Sequence, residues 1–350
     1  MTDFWRGKRV LVTGHTGFKG SWMSLWLDQL GAKVFGYALE PTSDQPLFDQ
    51  LRLRQTISHH SGDILDRDNF EQVLNIAKPD VVFHLAAQSL VTASFSNPQS
   101  TWSTNLMGSL NVLEALRGTR QVCSVVMVTT DKVYQNKNWN FLYRETDKLG
   151  GHDPYSASKA AMEIMVQSQR LSFFKDDNIV RIATARAGNV IGGGDGSKNR
   201  IMPDIIDALR SGTPVSVRNP NSVRPWQHVL EPLAGYMRLA QFLYEDDSQK
   251  YQTAYNIGPE ASDMKTVAEL VEEALLSWPG TWFDASDSVG VHEASLLSLE
   301  IQKARSELGI TPHWKFNEAV KKTVAWYQHV AAGKSAIQIS LDQIADYTNQ

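Results

Sequence analysis

Through the first half of the chain, short apolar runs alternate with stretches whose apolar residues recur at helical spacing. Arg9 to Thr13, Lys33 to Ala38, Val81 to Ala86, Val125 to Thr130 and Val180 to Arg186 are rich in β-branched residues and nearly continuous in hydrophobicity, as strands buried on both faces must be. Between them, Ser21 to Leu30 sets Trp22, Leu25, Trp26 and Leu30 at helical spacing, and Asn69 to Ala77, Thr101 to Arg117 and Ser156 to Phe174 behave alike. Strand, helix and strand repeated in this order predict an α/β fold with a doubly wound parallel sheet and right-handed crossovers.

After about Ala187 the pattern changes to loops punctuated by Gly and Pro, with short helices expected at Pro203 to Arg210, Met264 to Leu276 and Leu299 to Leu308. Two lobes follow, residues 1–187 for a cofactor and 188–350 mainly for a substrate, with the helix-like Glu231 to Tyr244 and strand-like Ala254 to Ile257 returning to the first lobe at about 229–258. From about Ala331 a loosely attached tail is expected. The 350 residues suit two such lobes, and 42% hydrophobic with 21% charged residues is the balance of a chain with a sizeable core.

A formal net charge of −4, with both signs interspersed, gives no footprint for nucleic acid or an anionic membrane. No segment resembles a leader or a membrane span, so a cytoplasmic location is expected. Cys123 is the only cysteine, at the entrance of a strand, which excludes an intrachain disulfide; the nine histidines form no metal-binding pattern, so no metal is expected.

The first strand leads into Gly14-His15-Thr16-Gly17-Phe18-Lys19-Gly20 and then into a helix. Gly14 permits the tight turn, Gly17 lets backbone approach a pyrophosphate, and Gly20 lets the helix pack on the strand. The helix N-terminus offers free N–H groups to phosphate, so a Rossmann-like dinucleotide site is expected. Ala38 occupies the position where an acid usually holds the adenosine ribose. Glu40 and Asp44 lie just beyond, and Tyr37 to Pro46 contains no Arg or Lys, which favours NAD over NADP; Lys19 is the residue most able to reverse that preference.

Tyr155 and Lys159 stand at i and i+4 on one face of the helix after Asp153-Pro154. A nearby ammonium is expected to lower the phenol from about 10 and let Tyr155 take a proton from a substrate hydroxyl. The strand ending at Thr129 and Thr130 runs into Asp131 and Lys132, at the carboxyl edge where doubly wound sheets bind ligands. Thr130 suits a hydrogen bond to the same hydroxyl. Asp131 with Lys132 adds a carboxyl and an amine that a simple alcohol dehydrogenase does not need.

Taken together, Gly14-x-x-Gly17-x-x-Gly20, Asp63-Ile64, His84-Leu85-Ala86-Ala87, Asn105, Thr130-Asp131 and Tyr155-x-x-x-Lys159 resemble the extended short-chain dehydrogenase/reductases that modify nucleotide sugars. Gly14 to Gly20, Arg186 to Asp195 and Arg224 to Val229 are similar, more narrowly, to members that dehydrate CDP-linked glucose. The resemblance implies that Asp63 and Ile64 hold adenine, that Leu85, Ala86, Ala87 and Gln88 line cofactor and sugar, and that Asn105 belongs with the cofactor-binding set as a support of the active-site helix. It also implies Asn189, Arg200, Arg218, Arg224 and His228 around the substrate diphosphate, where guanidinium forks suit the ligand. A homodimer or dimer of dimers is implied too, as is a place in making 3,6-dideoxyhexoses for surface polysaccharide such as lipopolysaccharide O-antigen. Many relatives have Asp-Glu where this chain has Asp131-Lys132, so the base at C5 is the role the resemblance fixes least.

The expected chemistry is an intramolecular redox dehydration of CDP-glucose to CDP-4-keto-6-deoxyglucose with recycled NAD. Tyr155, with Lys159 and Thr130, takes the O4 proton; Lys132 in its amine form takes the C5 proton while Asp131 gives one to the departing C6 hydroxyl. Another nucleotide-sugar 4,6-dehydratase or a UDP-sugar C4 epimerase shares much of this machinery, but an epimerase needs no acid for a leaving hydroxyl. A non-catalytic NAD-sensing regulator would have no use for the Tyr155/Lys159 pair. The choice of base rests on resemblance alone.

Overall fold

Apolar runs too hydrophobic to face water on either side are satisfied side by side in a parallel sheet covered by helices. The computed structural model, which describes residues 2–41, 46–176, 178–197, 199–286 and 296–349, has this sheet at its centre. Seven strands lie in the order Ala254–Asn256, Val180–Arg186, Cys123–Thr129, Val81–His84, Arg9–Thr13, Lys33–Ala38, Ser58–Ser61, and every neighbouring pair is parallel. This is a Rossmann-like doubly wound sheet, with a smaller α/β lobe of short two-stranded pieces beyond it. Ala254–Asn256 returns from that lobe to pair with Val180–Arg186, bringing the helix Leu230–Glu245 onto the sheet face.

The edge strand Ser58–Ser61 was not expected. Its sequence, Ser-His-His-Ser, carries no apolar signal because it has a strand on one side only and both its ends face solvent. The stretch expected as one helix from Thr101 to Arg117 is three segments, Pro98–Trp102, a wider π-turn at Ser103–Gly108, and Ser109–Leu116. The wide turn carries Asn105, and local widenings of this kind are common at functional sites. Met264 does not begin a helix: Met264–Thr266 is a strand antiparallel to Val223–Pro225, and the helix Val267–Ser277 starts after a capping box formed by Thr266 and Glu269. Leu299 likewise precedes its helix, which spans Gln302–Leu308.

The expected loose tail is instead a packed helix, Ala336–Thr348. Tyr347 stacks edge-on against Trp26 at 5.6 Å and donates to Glu231 Oε2 at 2.9 Å, while Trp326 Nε1 donates to Ser340 Oγ at 2.9 Å. Glu231 also accepts from the Trp314 backbone at 2.7 Å. A buried carboxylate in the first half of the helix Leu230–Glu245 therefore anchors the end of the chain, a partner the tail sequence does not reveal.

Below the sheet's carboxyl edge lies a buried ion pair. Arg186, at the end of Val180–Arg186, meets Glu163 of the helix Pro154–Phe173 through Nη2 at 2.9 Å and Nε at 3.0 Å. Thr129 and Thr184 donate to the same carboxylate at 2.5 and 2.7 Å, and Arg186 Nη1 donates to Tyr134 Oη at 2.8 Å. Arg186 and these hydroxyls hold Glu163 below the ordinary carboxylate range against a burial that pushes it up. Arg186→Met leaves this carboxylate buried without its cation and is expected to lower unfolding free energy by about 3–5 kcal/mol in urea titration, whereas Glu163→Leu combined with Arg186→Met recovers much of the loss.

Candidate active site

Arg9–Thr13 ends at Gly14, whose φ of +75° is open to glycine at little cost, and a Cβ there would lie 2.7 Å from the Ala86 backbone nitrogen. A Cβ on Gly20 would lie 2.1 Å from Gly14 O. The strand, the loop and the helix Phe18–Gln29 thus pack too closely for side chains. Gly17 caps that helix without any side-chain hydrogen bond, leaving its first N–H groups to an anion. A cleft of about 570 Å³ opens over this loop. Its lining joins Gly14, Thr16, Gly17, Phe18, Lys19 and Gly20 to Ala38, Asp63 and Ile64 on one side, and to Leu85, Ala86 and Ala87 on the other. A glycine cradle under an uncapped helix end, beside an apolar slot, fits a dinucleotide.

His15 does not line the cleft. It is fully buried, with Nε2 2.6 Å from His59 Nδ1 and its ring against Phe48, and burial with His59 pushes it down to about 3, so the ring is neutral. Its role in the loop is packing: a Cβ on Gly36 would strike the His15 ring at 2.4 Å. At the ribose end, Glu40 is bound to Arg54 at 2.5 Å and to His59 at 3.0 Å, and the Arg54 guanidinium holds it down at about 2. Asp44 lies outside the described residues. Lys19 does not sit with Ala38 and Leu39. Its ammonium is 3.5 Å from Tyr236 Oη and in the field of Arg200, Asp131 and Asp195, all at the other end of the cleft. Burial and Arg200 bring it down to about 8.

Pro154 starts the helix Pro154–Phe173, and the Asp153 side chain caps it by accepting from Ser156 N at 2.9 Å. Tyr155 and Lys159 therefore project from its first turns to the carboxyl edge of the sheet, where both line the cleft with Thr130, Asp131 and Lys132. Lys159 Nζ donates to Val128 O at 3.2 Å and is brought down to about 8 by burial and by Lys19, with Glu163 opposing. Tyr155 departs from expectation: burial pushes its phenol up to about 12, with Thr130 and Arg200 pulling the other way. Loss of solvation, helped by Asp131 and Asp153, outweighs the Thr130 hydrogen bond and the Arg200 guanidinium.

Thr130 Oγ1 donates to Asp131 Oδ1 at 2.8 Å, and Asn189 Nδ2 donates to Asp131 Oδ2 at 3.2 Å. Asp131 is 1% exposed, whereas Lys132 beside it is half-buried. Two other residues stand behind the lining. Asn105 accepts from Gln88 N at 2.9 Å and donates to Gln88 O and to Ser158 Oγ, which ties the loop after Val81–His84 to the active-site helix. Gln88 turns its own amide to Thr101 and Leu90. Neither reaches the cleft surface, so Asn105 braces the cofactor side rather than touching it and Gln88 is not placed to touch the sugar.

Arg200, Arg218, Arg224 and Asn189 line the far end of the cleft. Arg200 bridges the lobes, donating to Asp195 Oδ2 and Ser89 Oγ, both at 3.1 Å. Arg218 donates to Asn199 O at 3.3 Å, and Arg224 to Val223 O at 2.9 Å. His228 is elsewhere. It is fully buried with Trp22 and Trp314 against its ring, Nδ1 accepts from Leu230 N, and burial pushes it to about 3. It is a neutral core histidine rather than a diphosphate ligand. Asp195 and Tyr236 were not singled out from the sequence; Tyr236 sits among the apolar residues of its helix, and only its 3.5 Å contact with Lys19 marks it.

The model of the NAD dependent epimerase/dehydratase family matches residues 10–258. The CDP-glucose 4,6-dehydratase of Salmonella typhimurium is 43% identical over 351 residues, covering 99% of this chain and 97% of that protein. The dTDP-glucose 4,6-dehydratase of Neisseria gonorrhoeae is 27% identical, covering 91% and 95%. Among solved structures, a UDP-glucose 4-epimerase of Stenotrophomonas maltophila with bound NAD superposes with a TM-score of 0.79 at 22% identity, covering 93% of this chain and 100% of that one. With a family match over more than half its length, on a glycine cradle and a Tyr-Lys helix that meet at one sheet edge, the chain belongs to the NAD-dependent epimerase/dehydratase family.

Proposed function

We propose that this protein is a hydro-lyase that converts CDP-glucose to CDP-4-keto-6-deoxyglucose and water. The observation that carries the reading is the Thr130-Asp131-Lys132 turn held against Tyr155 in a chain whose 43% identical relative, aligned end to end, is a CDP-glucose 4,6-dehydratase. NAD is its cofactor, and when bound it supplies a nicotinamide that accepts hydride from the sugar and later returns it. The chain's own residues bind and move protons. Gly14, Thr16, Gly17, Phe18, Lys19 and Gly20, with Asp63, Ile64, Leu85, Ala86 and Ala87, hold the cofactor, and residues 1–187 with the return at about 229–258 form its lobe. Residues 188–350 mainly receive the nucleotide sugar, with Arg200, Arg218 and Arg224 on its diphosphate.

Tyr155 in its phenolate form takes the O4 proton, aided by the Thr130 hydroxyl and the Lys159 ammonium. Asp131 gives a proton to the departing C6 hydroxyl, and Lys132 in its amine form takes the C5 proton. A place in making 3,6-dideoxyhexoses for surface polysaccharide, in the cytoplasm, goes with this reading. Among the described residues no helix is long and apolar enough to cross a membrane.

Tyr155→Phe is expected to lower kcat by at least about 100-fold, the scale of a lost general base. In heavy water with NAD, CDP-glucose should give a 4-keto-6-deoxy product carrying deuterium at C5 with no net NADH; a 4-epimer free of deuterium would overturn the reading.

Lys159 is a cation below about 8 and neutral above it, so kcat/KM should fall as pH rises through about 8 rather than near the 10.5 of an ordinary lysine. Lys19→Met removes a charge that lowers Lys159 and should shift that alkaline limb upward; an unmoved limb would assign it to another group.

The helices of the sheet's outer face leave Trp102, Met107, Ile164, Leu171 and Phe173 at least a third exposed. Exposed apolar side chains on these neighbouring helical segments suit a two-fold interface. Ile164→Glu with Leu171→Glu is expected to halve the mass seen by light scattering, and a monomeric parent protein would exclude the dimer.

A further inference from the structure

NAD and NADP differ only at the 2′-oxygen of the adenosine ribose, and a guanidinium beside that oxygen is suited to the extra phosphate. The stretch Tyr37 to Pro46 contains no cation, and Lys19 stands with Tyr236 at the other end of the cleft. The fold nonetheless supplies one. Ala38, the last residue of Lys33–Ala38, and Leu39 line the cleft with Gly62, Asp63 and Ile64. The Thr16 hydroxyl of the glycine loop donates to Leu39 O at 2.9 Å, which ties this backbone to the cradle. Glu40 comes next, and Arg54 Nη2 donates to its Oε2 at 2.5 Å.

Arg54 is seated rather than loosely tethered. Its Nε donates to Asp49 Oδ1 at 2.9 Å, and its Cζ lies 5.2 Å from the centre of the Phe48 ring. Phe48 is fully buried, with the rings of His15 and His59 at 5.2 and 5.1 Å. His59 Nε2 donates to the second Glu40 oxygen at 3.0 Å, so Glu40 turns both oxygens to protein partners instead of standing free as a ribose acceptor. The Arg54 guanidinium holds Glu40 at about 2, so the carboxylate is charged at neutral pH. The Arg54 and Glu40 side chains are 42% and 50% exposed. A pair this open contributes little to folding, yet it stays within reach of a ligand.

We infer that Glu40, with Asp49, shields Arg54 and thereby selects NAD against NADP: two carboxylates around one guanidinium leave the ribose edge negative and occupy the cation that a 2′-phosphate would need. Selection of this kind needs no acid at Ala38 and no bond from Glu40 to the ribose. It concerns the cofactor alone and stands whichever nucleotide sugar the enzyme takes.

Calorimetric titration of the full-length enzyme, freed of nucleotide, with NAD and with NADP tests it. The parent should bind NAD at least about tenfold tighter than NADP, since a 2′-phosphate of about −1.5 to −2 charge meets a negative edge. Removing one carboxylate in Glu40→Gln should tighten NADP by about tenfold, and removing both in Glu40→Gln with Asp49→Asn by about 100-fold. NAD should stay within about threefold throughout, which also reports that each variant is folded. Glu40→Gln with Arg54→Met should return NADP to within about threefold of the parent, because the guanidinium and its shield leave together. The gain for NADP should shrink as salt is raised.

A parent that binds both nucleotides equally, no gain for NADP in either variant, a gain that survives loss of Arg54, or a gain indifferent to salt would each overturn the inference. So would a loss of NAD affinity of about tenfold in Glu40→Gln, which would make Glu40 a direct ribose acceptor. None of these outcomes touches the dehydration reading, which is tested on the sugar product, and failure of that reading leaves the titrations standing.

Discussion

The buried pair between Glu163 and Arg186 is the constraint on which the catalytic edge depends. Glu163 lies four residues beyond Lys159 and eight beyond Tyr155, so the three project from nearby faces of one helix. Arg186 ends one strand, and the hydroxyls that complete the carboxylate's shell come from Thr184 on that strand and Thr129 on the next. One ion therefore fixes the height and rotation of the helix against two strands at the point where Thr130 and Asp131 begin. Its charge also reaches the site, favouring the Lys159 ammonium that burial and Lys19 oppose. Such a pair contributes little net stability against an apolar substitute, but it has few alternative registers, and register is what the proposed roles of Tyr155 and Lys159 require.

Patterns that depend on local sequence were legible. Continuous apolar runs gave five of the strands because burial on both faces leaves no other composition workable. The glycine loop was readable because its spacing follows from close contacts, now visible as Cβ positions that would strike Ala86 and Gly14. Tyr155 and Lys159 were readable because i, i+4 spacing on a helix is geometry.

Features that depend on a distant partner were not legible. Ser58–Ser61 is a strand only because Lys33–Ala38 offers it an edge. His15 and His228 look like ligands in a sequence, yet each fills a buried aromatic cage and is kept neutral by loss of solvation. Ala336–Thr348 is ordered by Glu231 and Trp26, far earlier in the chain. The Tyr155 phenol is raised rather than lowered for a related reason, since i, i+4 spacing does not reveal the burial that pushes it up.

The distribution of charge along the cleft suits the two kinds of chemistry proposed for it. At its far end Arg200, Arg218 and Arg224 suit an anion, while at its centre burial and Lys19 depress the Lys159 ammonium, and burial and Arg200 depress Lys19. Redox at C4 calls for a base that gains a proton, and elimination across C5 and C6 calls for an acid that loses one. The chain keeps these groups apart by element: Tyr155 and Lys159 ride on the helix, whereas Asp131 sits in the turn after a strand and is held from the second lobe through Asn189. Separate anchoring lets each be oriented for its own step, and Thr130, bonded to Asp131 and facing the phenol, is the one hydroxyl shared between them.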